Sequence, residues 1–278
     1  MNNKGQIIIT DILLYLIVLT IILSLIVYAT NTINQDQVSR VNNKEIQQLL
    51  EDNMETLTKT SGTPSNWEDQ SINRIEIVGL KSEKNQQISY EKLVRLKNNK
   101  QLLNNYFPDS IQYSLTLYPK NNPNNEILIA GQSRLTKTQV QSKNTQVIID
   151  YGYRIIPVNN EDTNTTCPYN HDNQWKCKSI TISKTLLDGG KYYIITDANT
   201  QYIISNTYSQ NITGQTDDKT CINQQLEQLL TNQNQTIYIH TKTDTNNTCI
   251  VYDANNREEY LENVIKPEVY VLNMKIAT

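Results

Sequence analysis

The stretch "NKGQIIITDILLYLIVLTIILSLIVYATN", Asn3 to Asn31, is apolar for most of its length and decides how the rest of the chain is read. From Ile12 to Ala29 no residue is charged, and the uncharged run continues to Asp36. At about 1.5 Å per residue, roughly 20 helical residues span the hydrocarbon of a bilayer. A removable secretory signal has a shorter core, about 7 to 15 residues, before a small-x-small site. The exit "VYATNTINQDQ" offers only a poor site of that kind, so the run predicts an uncleaved single-pass membrane helix. Lys4 precedes it while the remainder carries both signs, which places the amino terminus in the cytoplasm and the rest outside the cell membrane.

Two features of the second half agree with export. Asn-x-Ser/Thr acceptors stand at Asn164, Asn211, Asn234 and Asn246, marking candidate glycosylation sites. The four cysteines, Cys167, Cys177, Cys221 and Cys249, form an even set suited to disulfides. Cys167 with Cys177 and Cys221 with Cys249 is the simplest pairing, because each bond closes a local loop; reduced core cysteines are the alternative.

The 278 residues carry a formal charge of -3 and a pI near 5.5, with no basic stripe. Nucleic acid is therefore excluded as a partner. Seventeen tyrosines against one phenylalanine, with abundant Asn, Gln, Thr and Ile, suit strands whose outer face is uncharged and hydrogen-bonding.

Along the chain, helical spacing continues through Ile33, Val38, Val41, Ile46, Leu49, Leu50, Met54 and Leu57, predicting a stem to about Thr60. Gly62 and Pro64 end it, and Trp67 reads as the core anchor where the chain re-enters the head. "INRIEIVGL" from Ile72 predicts a strand. "SYEKLVRLKNNKQLLNNYF" predicts a helix capped by Ser89. "SIQYSLTLYP" and "NEILIAG" predict a hairpin around "KNNPNN", and "KYYIITD" and "TQYIISNTY" a second around "ANT". "WKCKSITISKTLL" predicts a strand ending at Asp188-Gly189-Gly190. "PEVYVLNMKIAT" predicts a strand with Val269, Val271 and Met274 inward.

The fold class that follows is α+β: a single amino-terminal transmembrane helix extending into a stem, then a mainly antiparallel β head with short helices. Its segments are a cytoplasmic leader over 1–5, the membrane helix over 6–30, the stem over 31–60 and the head over 61–278, subdivided near 155–165.

Lys4-Gly5-Gln6 before the apolar helix, with "GTPSNWE...INRIEIVGL" and the "ISYEKLVRL" helix start after the stem, resembles archaeal pilin-like and pseudopilin-like membrane proteins with a class III signal. The resemblance covers roughly residues 4–96. It implies a prepilin-type peptidase that reads Lys4 and Gly5 and cuts ahead of Gln6. It also implies assembly through the helix, with Asp11 paired to a neighbouring subunit's amine. The family's usual Ser and Glu positions hold Ile8 and Thr10 here, and the acid falls at Asp11.

Short catalytic and metal patterns are absent from the sequence. His171 and His240 stand in no metal motif, and a zinc site at Cys167 and Cys177 would need His171 to join. Asp217-Asp218-Lys219 and Arg257 to Tyr260 read as solvated faces or helix ends. The function expected is a non-enzymatic pilin-like or pseudopilin-like surface protein without cofactor or metal. Its partners would be membrane lipid, like subunits or other pilin-like proteins. The alternative is a non-polymerising membrane-tethered adhesion module that binds an envelope polymer or sugar. A cleft with convergent carboxylates would instead mark an enzyme.

Overall fold

A computed structural model describes the chain except residues 1–2, 84–85, 159–173, 209 and 243–246, and except the side chains of 3–14 and 31–42. Helix α1, Asn3–Lys59, is continuous. Asn31, Asn34 and the Asn42-Asn43 pair do not interrupt it.

The membrane reading is corrected: among the described residues no helix is long and apolar enough to cross a membrane. Hydroxyls within the run fold back on the helix. Thr20 Oγ1 donates to the Ile17 carbonyl at 2.8 Å, and Ser24 Oγ to that of Thr20 at 2.8 Å. With the anchor go the single-pass topology, the extracellular localisation, the lipid and peptidase partners, and the envelope polymer or sugar as ligand of a tethered module. Pilin-like assembly and its class III signal lose the same support. The side chains of Lys4, Gln6 and Asp11 lie outside the described residues, and Gly5 is a backbone position within α1.

The head is α+β, built on one mixed and two antiparallel sheets. The first holds β1 (Ile88–Ser89), β2 (Gln112–Pro119), β3 (Ile127–Gly131), β4 (Val140–Asp150) and β13 (Val269–Ala277) in the order β1-β4-β13-β2-β3. β1 runs parallel to β4 and the other pairs are antiparallel. The second holds β5 (Arg154–Pro157), β7 (Lys191–Thr196), β10 (Lys219–Cys221) and β12 (Thr248–Asp253) in the order β10-β7-β12-β5. The third holds β6 (Trp175–Ser183), β8 (Thr200–Asn206), β9 (Asn211–Thr216) and β11 (Asn234–Lys242) in the order β6-β11-β8-β9.

Two cores follow. Leu50, Met54 and Leu57 at the end of α1, with Leu93 and Leu96 of α2 (Tyr90–Asn98), join Leu115 of β2 and Leu272, Met274 and Ile276 of β13. The even positions of β13 thus face α1, and Val271 points the other way, contrary to the inward Val269 and Val271 expected from the sequence. The second core joins Ile180, Ile182, Ile204, Ile237 and Ile239 of the third sheet to Ile194 and Ile250 of the second, closed by Leu187 of α3 (Lys184–Gly189) and Leu226 of α4 (Asn223–Leu229).

β7 and β8 do not form the expected hairpin: the chain changes sheets between them. Both strands are buried over nearly their whole length, as suits inner strands covered on two faces rather than a half-solvated ribbon. The expected strand ending "WKCKSITISKTLL" instead stops at Ser183, whose Oγ accepts from the Leu186 N–H and caps α3. The segment from Ile72 forms a 3-10 turn, Ile72–Arg74, and a single bridge from Ile77 to Thr63.

The end of α1 is tied down by this segment. Leu80 N–H donates to the Leu57 carbonyl at 2.7 Å and Lys81 N–H to that of Thr60 at 3.0 Å. Trp67 is fully buried, and its Nε1–H donates to the Gly79 carbonyl at 2.7 Å. Gly62 adopts φ +86, and the Thr63-Pro64 peptide is cis. Gly79 lies so close to the helix end that a Cβ there would stand 2.4 Å from the Thr60 carbonyl oxygen. Gly79→Ala should therefore destabilise by about 1–3 kcal/mol or more through overpacking. Equilibrium urea unfolding would read this as a lowered midpoint with unchanged m-value.

Candidate functional site

A cleft of about 1040 Å³ opens where the first and second sheets meet. The end of β7 supplies Asp197, and the β9–β10 turn supplies Asp217 and Asp218. The 3-10 segment Glu258–Val264 supplies Glu259, Tyr260 and Glu262, and the chain entering β13 supplies Lys266, Glu268 and Tyr270. Lys120, after β2, completes the charged lining.

Backbone bonds set this geometry. Thr196 N–H donates to the Asp218 carbonyl at 2.8 Å, and Lys120 N–H to that of Val269 at 2.9 Å. Buried Asp253 accepts from the Asn255 and Arg257 N–H groups, at 2.9 and 2.6 Å, and so turns β12 into the 3-10 segment. Asn256 occupies the left-handed region of that turn at φ 54, which Asn tolerates.

Two tyrosines, Tyr260 and Tyr270, join the lining. Tyr260 stacks on Tyr151 with centroids 4.4 Å apart and lies 5.4 Å from Tyr90. Arg257 sits 4.6 Å above the Tyr90 ring, ion-pairs with Glu91 and donates to the Tyr151 carbonyl at 2.7 Å. Tyr270 Oη donates to Glu268 Oε2 at 2.5 Å. The hydrogen bond to Tyr90, then burial, holds the Tyr260 phenol above its ordinary range. Burial, then hydrogen bonds to Glu268 and Tyr151, do the same for Tyr270. Both phenols are neutral at physiological pH, so the formal charge of the lining comes from its six carboxylates and two lysines.

All six carboxylate residues are solvent-exposed. A carboxyl used as a general acid is normally desolvated or pressed against a like charge. Solvated carboxylates beside aromatic faces instead suit recognition of a cation.

No family model, curated protein or solved structure matches the chain. The site therefore stands on its own chemistry.

The residues singled out from the sequence fall elsewhere. Gly62, Pro64 and Trp67 meet at the end of α1. Asn211 and Asn234 are exposed at the starts of β9 and β11, while Asn164 and Asn246 lie outside the described residues.

The expected Cys221–Cys249 disulfide does not form, and both thiols are free. β7 lies between β10 and β12, and Cys221 and Cys249 pair with Tyr193 and Ile195, two residues apart along it, so two strand spacings and this offset put the cysteines roughly 12 Å apart, beyond the Cα separation a disulfide bridges. Cys167 and His171 lie outside the described residues. Cys177 is buried directly across from His240, whose Nε2 is 3.1 Å from Ser205 Oγ. Among the described residues no three His, Cys, Asp or Glu gather as a metal set.

Sequence reading missed the cleft, although it noticed two of its parts, Asp217-Asp218 and Glu259-Tyr260, as solvated ends. It also missed the buried cation beneath α1. Lys92 is 1 % exposed, and its Nζ donates to the Ser61 and Lys81 carbonyls at 2.8 and 3.2 Å. Glu68 Oε2 lies 4.0 Å from it without a hydrogen bond. Desolvation raises the Glu68 pKa and lowers that of Lys92.

Two predictions follow from these environments. Because the Glu68 pKa is raised on folding, its stability contribution is present below the unfolded value near 4.5 and is lost as pH climbs through the folded pKa. The stability difference between Glu68→Gln and wild type should thus shift in favour of the variant from pH 4.5 to 7, measured by urea unfolding across pH. In the native protein, iodoacetamide should label Cys221 readily and Cys249 slowly, since burial pushes the Cys249 thiol up to about 11. Peptide mass mapping reads both rates.

Proposed function

We propose that this chain is a non-catalytic binding protein that holds an extended cationic partner in the cleft between its first and second sheets. The observation that carries the reading is the lining itself: six exposed carboxylates against two lysines, set beside Tyr260 and Tyr270. The chain as a whole carries only -3, so the acidity of the cleft is a local concentration rather than a general property. Ammonium and guanidinium groups find exposed carboxylates and neutral aromatic rings in the same lining.

The solvation of these carboxylates is the reason for preferring binding to hydrolysis. An enzyme of the two-carboxylate kind separates its acid from its base by giving them different environments. Here the six share one environment, open to water.

Exposed charge pairs contribute about 0.2–1 kcal/mol each, so neutralising four carboxylates should weaken binding roughly tenfold or more. The test is titration calorimetry of the full chain with an oligolysine peptide, against the combined Asp217→Asn, Asp218→Asn, Glu262→Gln and Glu268→Gln variant. Binding that declines with salt and is weakened by about that factor in the variant is the expected result. Equal affinity for oligolysine and oligoglutamate, or an unaffected variant, would overturn the reading.

A further inference from the structure

A second cavity, about 590 Å³, lies between the segment that ties down α1 and the turn that follows α2, and it shares no residue with the acidic cleft. Its volume falls in the range of small-molecule sites. The two cavities differ in chemistry as well as in size.

Ile75, Val78 and Leu102 supply apolar surface, and Ile72 at the lip is 52 % exposed. Hydrogen-bond donors surround it. Lys97 and Lys100 are exposed, and neither forms an ion pair among the described residues. Tyr106 Oη accepts the Val78 N–H at 2.6 Å, which leaves its own proton without an acceptor among the described residues. Burial holds this phenol above its ordinary range, so the proton is present at neutral pH. Glu76 is the one acid in the lining.

Lys97, Lys100 and the Tyr106 hydroxyl share the lining with Ile75, Val78 and Leu102, a combination that suits an anionic head on a hydrocarbon body. We propose that this cavity binds a small carboxylic acid, its carboxylate taken by Lys97, Lys100 and the Tyr106 hydroxyl and its hydrocarbon laid on Ile72, Ile75 and Leu102. A carboxylate accepts from several donors at once, and hydrogen bonds to charged groups are the strong ones. The hydrocarbon supplies affinity through buried area, and the head supplies orientation.

The test uses octanoate, octanol and octylamine with the isotope-labelled full chain, read by amide chemical shifts. Reading individual amides separates this cavity from the exposed apolar side chains of α1. Octanoate should give saturable shifts at Glu76, Val78, Leu102 and Tyr106, with octanol weaker and octylamine without effect. The Lys97→Gln, Lys100→Gln double variant, altered only at exposed positions, should bind roughly twofold to thirtyfold more weakly, as expected for two lost exposed charge contacts. Tyr106→Phe should weaken binding less. Absence of saturable shifts at these amides, equal binding of octanol, or full affinity in the double variant would each overturn the proposal.

Discussion

Strands β7 and β12 bear apolar side chains on both faces, and the two cores of the molecule are joined through them. Tyr193, Ile195 and Val251 point into the core beneath α1, while Tyr192, Ile194 and Ile250 point into the core against the third sheet. Their register, Ile194 opposite Ile250 and Tyr193 opposite Val251, keeps these two sets on opposite sides. A slip of one residue would exchange the sets and place each in a space shaped for the other. Each buried Ile or Val side chain contributes about 1.5–3 kcal/mol, so the shared sheet makes the two cores one cooperative unit. The cleft is a consequence, because the ends of β7 and β13 open at the junction that this sheet creates.

The attachment of α1 is of a different kind. Apolar residues Leu50, Met54 and Leu57 press on the first sheet, while carbonyls of the last turn and just beyond it are met by backbone donors from Leu80 and Lys81 and by a buried cation, Lys92. The Lys92 ammonium is desolvated and only distantly paired with Glu68. Such an arrangement costs solvation free energy and persists because removing either partner would strand the other. It also orients the segment from Ile72 to Leu80, which forms one wall of the smaller cavity.

Much of the local structure is legible in the residues. Ser89 caps α2 as expected, with the Lys92 N–H donating to its Oγ. The "KNNPNN" turn joins β2 to β3, paired from Ser114 with Gly131 to Leu117 with Ile127. The helix through Leu57 ends at Lys59. Errors arise where one pattern admits two placements. "KYYIITD" and "TQYIISNTY" have the composition of a hairpin, yet each is an inner strand of a different sheet. The same ambiguity between a membrane helix and a helix of this fold attends the opening run. The cysteines invited local disulfides, whereas intervening β7 keeps Cys221 from Cys249. None of the candidate ligand contacts was legible, since Asp197, Asp218 and Glu262 are separated by tens of residues.

The sequence by itself determined what depends on neighbours along the chain: the helix stop at Gly62 and Pro64, the cap at Ser89, the Asn-Pro turn, and a near-neutral balance of charge unsuited to nucleic acid. Tertiary structure alone decided which strands share a sheet, that Lys92 is buried under the end of α1, and that acids from four separate segments line one cleft. The physical reason is range. Turn and cap preferences are settled within a few residues by sterics and local hydrogen bonds, whereas strand order and the meeting of distant charges are settled only when burial of both cores selects one arrangement of the whole chain.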